Sequence, residues 1–268
     1  MTTGPSTWSV SAALRFEECP LGFKLQYVDR VPRPQREIPL HWRLGTVVHY
    51  ALEQSWKERK RTHGSGPMWT DEMWDLAKRS IAVAWAKEEM PEPLASDGLW
   101  DRAHLAVETT LKDQFTPWED IVAVEHKFFV RAGMNIIGFA DLLLRPSPTT
   151  LLIRDWKVRQ QASKPEELQG NFQLLLYGAM AKRTMPWVTE VQASHYNPPT
   201  GHETVVTLRD RDIDAAIPRM QAVRDMAAVS DFAPEKGSWC EGCAYKPQCP
   251  AWKATGRAAV AEENMALF

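Results

Sequence analysis

Apolar residues in the first 118 positions recur at the three- and four-residue spacing of helices that bury one face. Ser9 and Ser11 are candidate N-caps for a short helix that runs toward Cys19. Three longer helices are predicted over residues 40–61, 70–90 and 95–116. We therefore predict a helical subregion at 40–118.

From about residue 119 the pattern changes to the alternation of half-buried strands. Strands are predicted at 121–130, 135–144, 151–156, 188–196 and 203–208. Helices are predicted after the third and the last of these strands, at 164–184 and 210–229. An order of helices, antiparallel strands, helix, strands and helix is typical of an α/β fold with a mixed sheet flanked by helices.

Composition mainly excludes function classes. With 44% hydrophobic and 25% charged residues, the 268-residue chain is neither disordered nor collagen-like. A net charge of −2 excludes nucleic-acid binding through bulk charge, so any such contact needs a local patch. The 12 tryptophans could stack on bases, although most are expected to close a core. We find neither a signal peptide nor an apolar run of the roughly 20 residues that span a bilayer, and we expect a cytoplasmic protein.

The four cysteines form a sparse pattern: Cys19 stands alone, and Cys240, Cys243 and Cys249 form a Cys-x2-Cys-x5-Cys run. A reducing compartment disfavours disulfides, so a tetrahedral metal site or an iron–sulfur cluster is expected. Proline follows Cys19 and Cys249, as it follows the last cysteine of the bacterial ferredoxin run, which favours a [4Fe-4S] cluster. Zinc is the alternative, although it usually takes two short cysteine knuckles. Either group would clasp the two chain ends together.

Turn positions predict the register of three strands. A hairpin centred on Pro148 places Asp141 opposite Asp155, and one centred on Gly133 places Glu125 opposite Asp141. Directly opposed residues have Cβ atoms about 4.5–5.5 Å apart. The sequence therefore predicts a row of three carboxylates, provided that no bulge shifts the register.

Three neighbouring carboxylates repel one another unless a cation joins them. Lys157 projects from the same face as Asp155, two residues before it. A cross-strand salt bridge of Lys157 with Asp155 or Asp141 would account for only one acid. A hard divalent ion on clustered carboxylates is instead the expected chemistry of phosphoryl transfer, in which a lysine orients water or steadies charge.

Several short motifs follow one another along most of the chain. They are Ser9-x-Ser11 with Phe16-Glu-Glu-Cys19-Pro20, Gly45-Thr-Val-Val-His49, Gly138-Phe-Ala-Asp141, Asp155-Trp156-Lys157, Gln173-Leu-Leu-Leu-Tyr177 and the C-terminal cysteine run. In this order they resemble the RecB-like branch of the PD-(D/E)xK nuclease superfamily, in particular its iron–sulfur members. These are the CRISPR-associated RecB-like exonucleases, their phage relatives and the AddB nuclease domain. Arg154 departs from the usual apolar residue, and Trp156 stands where tyrosine is common.

The resemblance implies a metal site. His49, Asp141, Asp155 and the Trp156 carbonyl would hold Mg²⁺ or Mn²⁺, and Lys157 would position or activate water for attack on a phosphodiester. Without this context His49 would be interpreted as an ordinary helix histidine.

The resemblance also implies supporting roles. Glu125 could bind the metal directly or through water, and Gln173 and Tyr177 would contact the DNA backbone or orient the site. The four cysteines, Cys19, Cys240, Cys243 and Cys249, would hold a structural [4Fe-4S] cluster.

The implied organisation is one nuclease domain, 1–268, with a restriction-endonuclease-like core. Its parts are an iron–sulfur clasp at 1–30 and 236–255, the helical insertion at 40–118 with His49, the catalytic core at 119–210, and a tail at 256–268. The implied activity is a DNA exonuclease acting on single strands or ends, in recombination, replication or CRISPR-type processing. The alternatives are a catalytically quiet or partner-activated DNA-binding subunit and an electron-transfer protein; the latter leaves the acids and Lys157 unexplained.

Partners are expected beyond DNA. The terminal residues Leu267 and Phe268 end a segment that looks like a degenerate sliding-clamp peptide, with a frayed or core-docked terminus as the alternative. Recombination or CRISPR proteins are further expected partners. No Gly-x4-Gly-Lys-Ser/Thr, Gly-x-Ser-x-Gly or His-Glu-x-x-His motif supports a motor, a serine hydrolase or a zincin.

Overall fold

The computed structural model describes residues 4–33, 39–159 and 161–252. The chain divides into two compact units. The first consists of Met1–Glu37, Arg131–Ile137 and Ile217–Phe268, and the second of Ile38–Val130 and Gly138–Ala216. Within the described residues, no helix combines the length and the apolarity needed to cross a membrane.

The helices and strands follow the predicted order. They are β1 (Thr7–Trp8), α1 (Val10–Glu18), α2 (Pro20–Phe23), α3 (Leu40–Arg61), α4 (Asp71–Lys87), α5 (Leu99–Asp113), β2 (Ile121–Arg131), β3 (Asn135–Ser147), β4 (Thr150–Trp156), α6 (Pro165–Gln169), α7 (Phe172–Thr184), β5 (Glu190–Asn197), β6 (His202–Thr207) and α8 (Asp210–Val229). The N-cap of α1 is Ser9, one of the two predicted candidates: its side chain accepts a hydrogen bond from the Ala12 N–H.

In the second unit, β2 pairs with β3, and the strands continue in the order β3, β4, β5 and β6. The β3–β4 and β5–β6 pairs are antiparallel, whereas β4 and β5 run parallel. The predicted mixed sheet is therefore confirmed. In the first unit, β1 pairs in parallel with the start of β3.

Helices cover both faces of the sheet in the second unit. The helices α3, α4 and α5 share one hydrophobic core with strand residues Leu142, Leu144 and Leu152. The helix α7 packs on β4 and β5, where its Gly178 lies close to Val191. Since Val191 pairs with Leu151 in the next strand, it projects from the face opposite to Leu152. The predicted arrangement of helices around a mixed sheet is confirmed on this basis.

Two local predictions differ from the structure, and one element was not predicted. The helix predicted at 164–184 is two helices, because α6 ends at Gln169 and the Asn171 side chain caps α7 by accepting from the Leu174 N–H, 3.2 Å away. The helix predicted from residue 95 begins at Leu99, after Gly98 adopts a left-handed φ of 73°. The two-residue strand β1 is too short to leave a periodic pattern.

The hairpin register is the predicted one for β3 and β4. Leu142 pairs with Arg154 and Leu144 with Leu152, both centred on Pro148. The register shifts between Leu144 and Ser147, at the end of β3 next to the turn. In β2 the expected regular alternation is interrupted, because Glu125 has a φ of 50°. A residue of this conformation in a strand marks a bulge and redirects its side chain.

Candidate active site

The end of β4 joins two candidate residues through the main chain. The Trp156 N–H donates a hydrogen bond to Asp141 Oδ2 at 2.9 Å. This bond crosses from β4 to β3 where Asp141 and Asp155 are expected to face each other. The carboxylate of Asp141 is thereby fixed in orientation.

Asp155 and Lys157 form an ion pair on the same edge of the sheet. Lys157 Nζ lies 2.7 Å from Asp155 Oδ2. Asp155 is only 7% exposed, whereas Lys157 is partly exposed. The Lys157 N–H donates to the Tyr196 carbonyl at 2.8 Å, so the register with β5 extends to this residue. Lys157 therefore places its ammonium group between the buried carboxylate of Asp155 and solvent.

His49 approaches this edge from α3. Its Nε2 lies 2.7 Å from the Trp156 carbonyl oxygen, and its Nδ1 lies 3.5 Å from Asp141 Oδ2. One helical turn earlier is Gly45, where a Cβ atom would have no neighbour within 4 Å. The Gly-x-x-x-His motif thus places a histidine beside the acid and leaves open space next to it.

Glu125 reaches the same region from β2. Burial, followed by the negative charge of Asp141, raises the pKa of Glu125 to about 7. Burial likewise raises the pKa of Asp141 to about 6, against the opposing effect of His49. Both carboxyl groups therefore keep a proton up to a higher pH than an ordinary acid does.

An open cavity of about 910 Å³ connects these groups. Its lining includes His49, Glu125, Asp141, Trp156 and Lys157. The structure therefore brings the metal and acid candidates of the sequence into one region of the second unit.

Gln173 and Tyr177 are placed differently. The Gln173 amide donates to the Tyr177 hydroxyl at 3.2 Å, and that hydroxyl accepts from the Phe139 N–H at 3.1 Å. The Tyr177 ring is 6% exposed, and its Cε1 would lie 2.3 Å from a Cβ atom at Gly138. Tyr177 therefore holds β3 just before Asp141, and glycine is required there because the ring fills the space. Contact with DNA remains a prediction.

Sequence reasoning missed one neighbour of Asp155, together with the hydroxyl group that holds it. His195 of β5 pairs with Asp155 in register, and its Nε2 lies 3.9 Å from the carboxylate. Its Nδ1 lies 2.6 Å from Ser163 Oγ. Burial is the leading influence on His195 and lowers its pKa, which favours the neutral ring. A histidine within an apolar strand was a visible signal, but its partner depends on the parallel pairing of β4 with β5.

The cysteines lie in the first unit. Cys19, Cys240, Cys243 and Cys249 line one small cavity, and all are free thiols. The Arg15 guanidinium donates to Cys243 Sγ at 3.1 Å. A cationic donor therefore lies beside four clustered sulfurs, and cysteine sulfur is the ligand of zinc and of iron–sulfur clusters.

The residues at both sites fit the groups that the sequence predicts by the chemistry of their donors. Carboxylates, a carbonyl oxygen and an imidazole suit Mg²⁺ or Mn²⁺, and four thiols suit zinc or an iron–sulfur cluster. Within the described ranges, however, no three His, Cys, Asp or Glu side chains already stand in the geometry of a metal site. The donor atoms of either site would have to move closer to bind.

Comparisons with known proteins bear on the fold and the family. Among solved structures, one from Eubacterium rectale, named "Putative exonuclease", is similar over 89% of this chain and 87% of its own, with a TM-score of 0.53 and 10% identity. At this identity the likeness bears on the fold alone. The structure of SSO0001 gives a TM-score of 0.35 at 16% identity, over 79% of this chain and 96% of that one, which carries no argument. No curated protein sequence matches.

The model of the family described as the PD-(D/E)XK nuclease superfamily matches residues 7–250, which include every candidate residue of both sites. This match spans most of the chain, from β1 to the last cysteine of the C-terminal run. The chain belongs to the PD-(D/E)XK nuclease superfamily.

Proposed function

We propose that this protein is a divalent-metal-dependent DNA exonuclease of the RecB-like branch, acting on single strands or DNA ends. The observation that carries the proposal is the arrangement of residues at the end of β4. There the main chain of Trp156 holds Asp141, while Asp155 is paired with Lys157 beside an open cavity.

The proposed chemistry is hydrolysis of a phosphodiester. The oxygen of water bonds to phosphorus while the bond to the leaving deoxyribose oxygen breaks, and that oxygen takes up a proton from the water. Mg²⁺ or Mn²⁺, when held by Asp141, Asp155, His49 and the Trp156 carbonyl, would neutralise phosphate charge and make water more acidic.

The residues of the chain supply the remaining functions. Lys157, which is paired with Asp155, has N–H groups that can orient water or donate to a phosphate oxygen as charge builds there. Glu125, at the edge of the same cavity, can accept a hydrogen bond from water. Tyr177 and Gln173 act as positioning residues, since they fix the main chain of β3 next to Asp141.

We also propose that the four cysteines bind a structural [4Fe-4S] cluster, with zinc as the alternative. Both predicted segments of the clasp belong to the first unit, and the four cysteines line one cavity there beside Arg15. Recombination or CRISPR proteins are the proposed setting. The proposed clamp-binding residues Leu267 and Phe268 lie outside the described residues; removing both should abolish retention on the clamp in a pull-down and spare nuclease activity.

The test is digestion of end-labelled linear DNA and circular DNA by anaerobically purified protein with Mg²⁺ or Mn²⁺. The Asp155→Ala variant removes the buried acid, and Asp214→Ala, an exposed acid on α8, is the matched control. We expect linear DNA to be degraded by the wild type and the control, and cleavage to be lost in Asp155→Ala and with a chelator. Absence of cleavage from metal-loaded wild type on every substrate would contradict the proposal and favour a partner-activated subunit.

A further inference from the structure

A second cavity, of about 550 Å³, lies beside the catalytic cavity in the second unit. The two cavities share three lining residues, His41, Val158 and Arg159. Val158 and Arg159 directly follow Lys157 in the chain. A ligand that occupies the catalytic cavity can therefore continue into the second one without leaving the surface.

The walls of the second cavity combine apolar surface with positive charge. Leu105 lines it although 57% of this side chain's surface is exposed, and Pro199 adds further apolar surface. Arg102 and Arg159 supply two guanidinium groups. None of the described residues that line this cavity is acidic, in contrast to the catalytic cavity with its Glu53, Glu125 and Asp141.

The two arginines differ in whether they already have an ion-pair partner. Arg159 is 3.7 Å from Glu167, a partly exposed and easily exchanged ion pair. Arg102 is exposed on α5 and has no ion-pair partner in the part of the chain that the structure describes. An arginine of this kind is available to an external anion, and its planar fork matches a phosphate.

An exposed aromatic ring is among the residues that line the catalytic cavity. Trp42, in the first turn of α3, is 65% exposed although it is next in sequence to His41, which both cavities share. Exposing a tryptophan to water leaves a large apolar area uncovered. A flat, accessible ring beside a phosphate-cleaving site is suited to stack on a base.

We propose that the second cavity binds the nucleotides next to the scissile phosphate of a single DNA strand, with Arg102 and Arg159 on the phosphates and Leu105 against a base. Trp42 would stack on a base at the mouth of the catalytic cavity. This inference rests on the proposed function. Apolar walls select a single strand, because duplex bases are covered by stacking and pairing.

The test compares binding of short and long oligothymidylate, of about four and about 15 nucleotides, by fluorescence anisotropy in the presence of a chelator. In Arg102→Ala the gain in affinity from the longer strand should fall about fivefold to tenfold, and the slope of log K against log salt should become shallower by about 0.7. Arg102→Lys should retain part of that gain. Arg79→Ala, an exposed arginine on α4 that lines neither cavity, is the matched control and should bind as the wild type does.

Leu105→Asp provides a second variant, because it places a negative charge on the apolar wall. It should weaken binding of the longer strand by at least as much as Arg102→Ala does. Unchanged affinity in both variants would overturn the proposed binding site. Equal weakening for a duplex of the same length would overturn its assignment to a single strand.

Failure of the binding site and failure of the proposed function are distinguishable with a small chromogenic phosphodiester. Metal-dependent hydrolysis of this compound by the wild type, lost in Asp155→Ala, would support the nuclease function even if oligonucleotide binding did not depend on Arg102. Oligonucleotide binding that depends on Arg102, without any hydrolysis, would uphold the binding site and contradict the nuclease.

Discussion

Close contact between two residues fixes the strand that carries Asp141. The Tyr177 ring occupies the place of a side chain at Gly138, and its hydroxyl accepts from the next main-chain N–H. At Gly45, in contrast, the missing side chain leaves open space beside His49. Two glycines of the motifs thus serve opposite purposes: one admits a ring, and the other keeps a cavity open.

Substitution of the two glycines should therefore change stability in opposite directions. We expect Gly138→Ala to lower the free energy of unfolding by about 1–3 kcal/mol, because the new methyl group meets the ring of Tyr177. Gly45→Ala, inside α3, should raise it by up to about 1 kcal/mol through better helix propensity. Chemical denaturation of both variants measures the difference.

The cause of the first effect can be isolated by a double-mutant cycle. In a Tyr177→Ala background the ring is gone, so Gly138→Ala should cost much less. A cost that is the same in both backgrounds would show that the ring is not responsible.

The crowded carboxylates predict a pH-dependent stability of the metal-free protein. The pKa of Glu125 is raised to about 7 in the folded state, above its ordinary value of 4.5. The folded state therefore holds this proton more tightly, and the stabilisation is present below pH 4.5 and lost as the pH rises through about 7. In Glu125→Gln the pH-dependent loss in the free energy of unfolding should be smaller by about 1 kcal/mol. This value is reduced to allow for partial solvent screening of the carboxyl group.

Denaturation curves in a chelator between these pH values measure the effect. Glu92→Gln, an exposed glutamate, is the control and should keep the wild-type slope. Identical slopes for all three proteins would contradict the raised pKa. Asp141 also has a raised pKa, of about 6. The free energy of unfolding of Glu125→Gln should therefore still fall as the pH rises, with a shallower slope than in the wild type.

At the scale of elements, local pattern predicted the order of helices and strands and the hairpin at Pro148. Short-range periodicity and turn residues determine such features. The division of the helix at Gly170 and Asn171 was missed, because apolar residues continue on both sides of it. The neighbour His195 was missed for a different reason: the parallel pairing of β4 with β5 joins residues about 40 positions apart, and no local signal sets that register.

The cap at Asn171 predicts a functional consequence of a local change. Its side chain starts α7, which carries Gln173 and Tyr177. Asn171→Ala should lower the free energy of unfolding by about 1 kcal/mol and also reduce DNA cleavage, because the positioning residues lie in the first turns. Thr70→Ala removes the equivalent cap of α4, where Thr70 Oγ1 accepts from the Met73 N–H.

This control should cost similar stability and leave cleavage unchanged. Thermal unfolding and the digestion assay, run on both variants, separate the two effects. Equal loss of cleavage in both would attribute it to general stability rather than to the start of α7.

At the scale of the whole molecule, the sequence predicted two chemical sites, and the structure places each within one unit. The carboxylates, His49 and Lys157 belong to the second unit, and the four cysteines to the first. Residue types and their spacing were sufficient to predict these two sites. The distances that a bound metal or cluster would impose could not be predicted, since they depend on the ligand as well as on the chain.

Because the two sites lie in different units, we expect substitutions to remove metal content and DNA cleavage separately. Cys243→Ala should lose iron and the brown absorbance of the anaerobic protein and lower its melting temperature, because a cluster that joins distant segments stabilises the fold. Asp155→Ala should retain iron and lose cleavage. Iron and sulfide analysis beside the digestion assay tests both. Zinc in place of iron in the anaerobic wild type would favour the alternative metal, and no metal at all would contradict the cluster.

Trp156 contributes two polar main-chain atoms to the candidate active site, with its N–H on Asp141 and its carbonyl facing His49, while its ring lies edge-on to the His49 ring. Its ring is 1% exposed and packs against Trp56 in the hydrophobic core. An alanine scan would therefore misjudge this position. Removing the ring opens a hole in the core and leaves both polar atoms in place, so a lost activity would report damaged packing. Two of the atoms nearest the chemistry belong to the peptide backbone, which every amino acid except proline supplies in full.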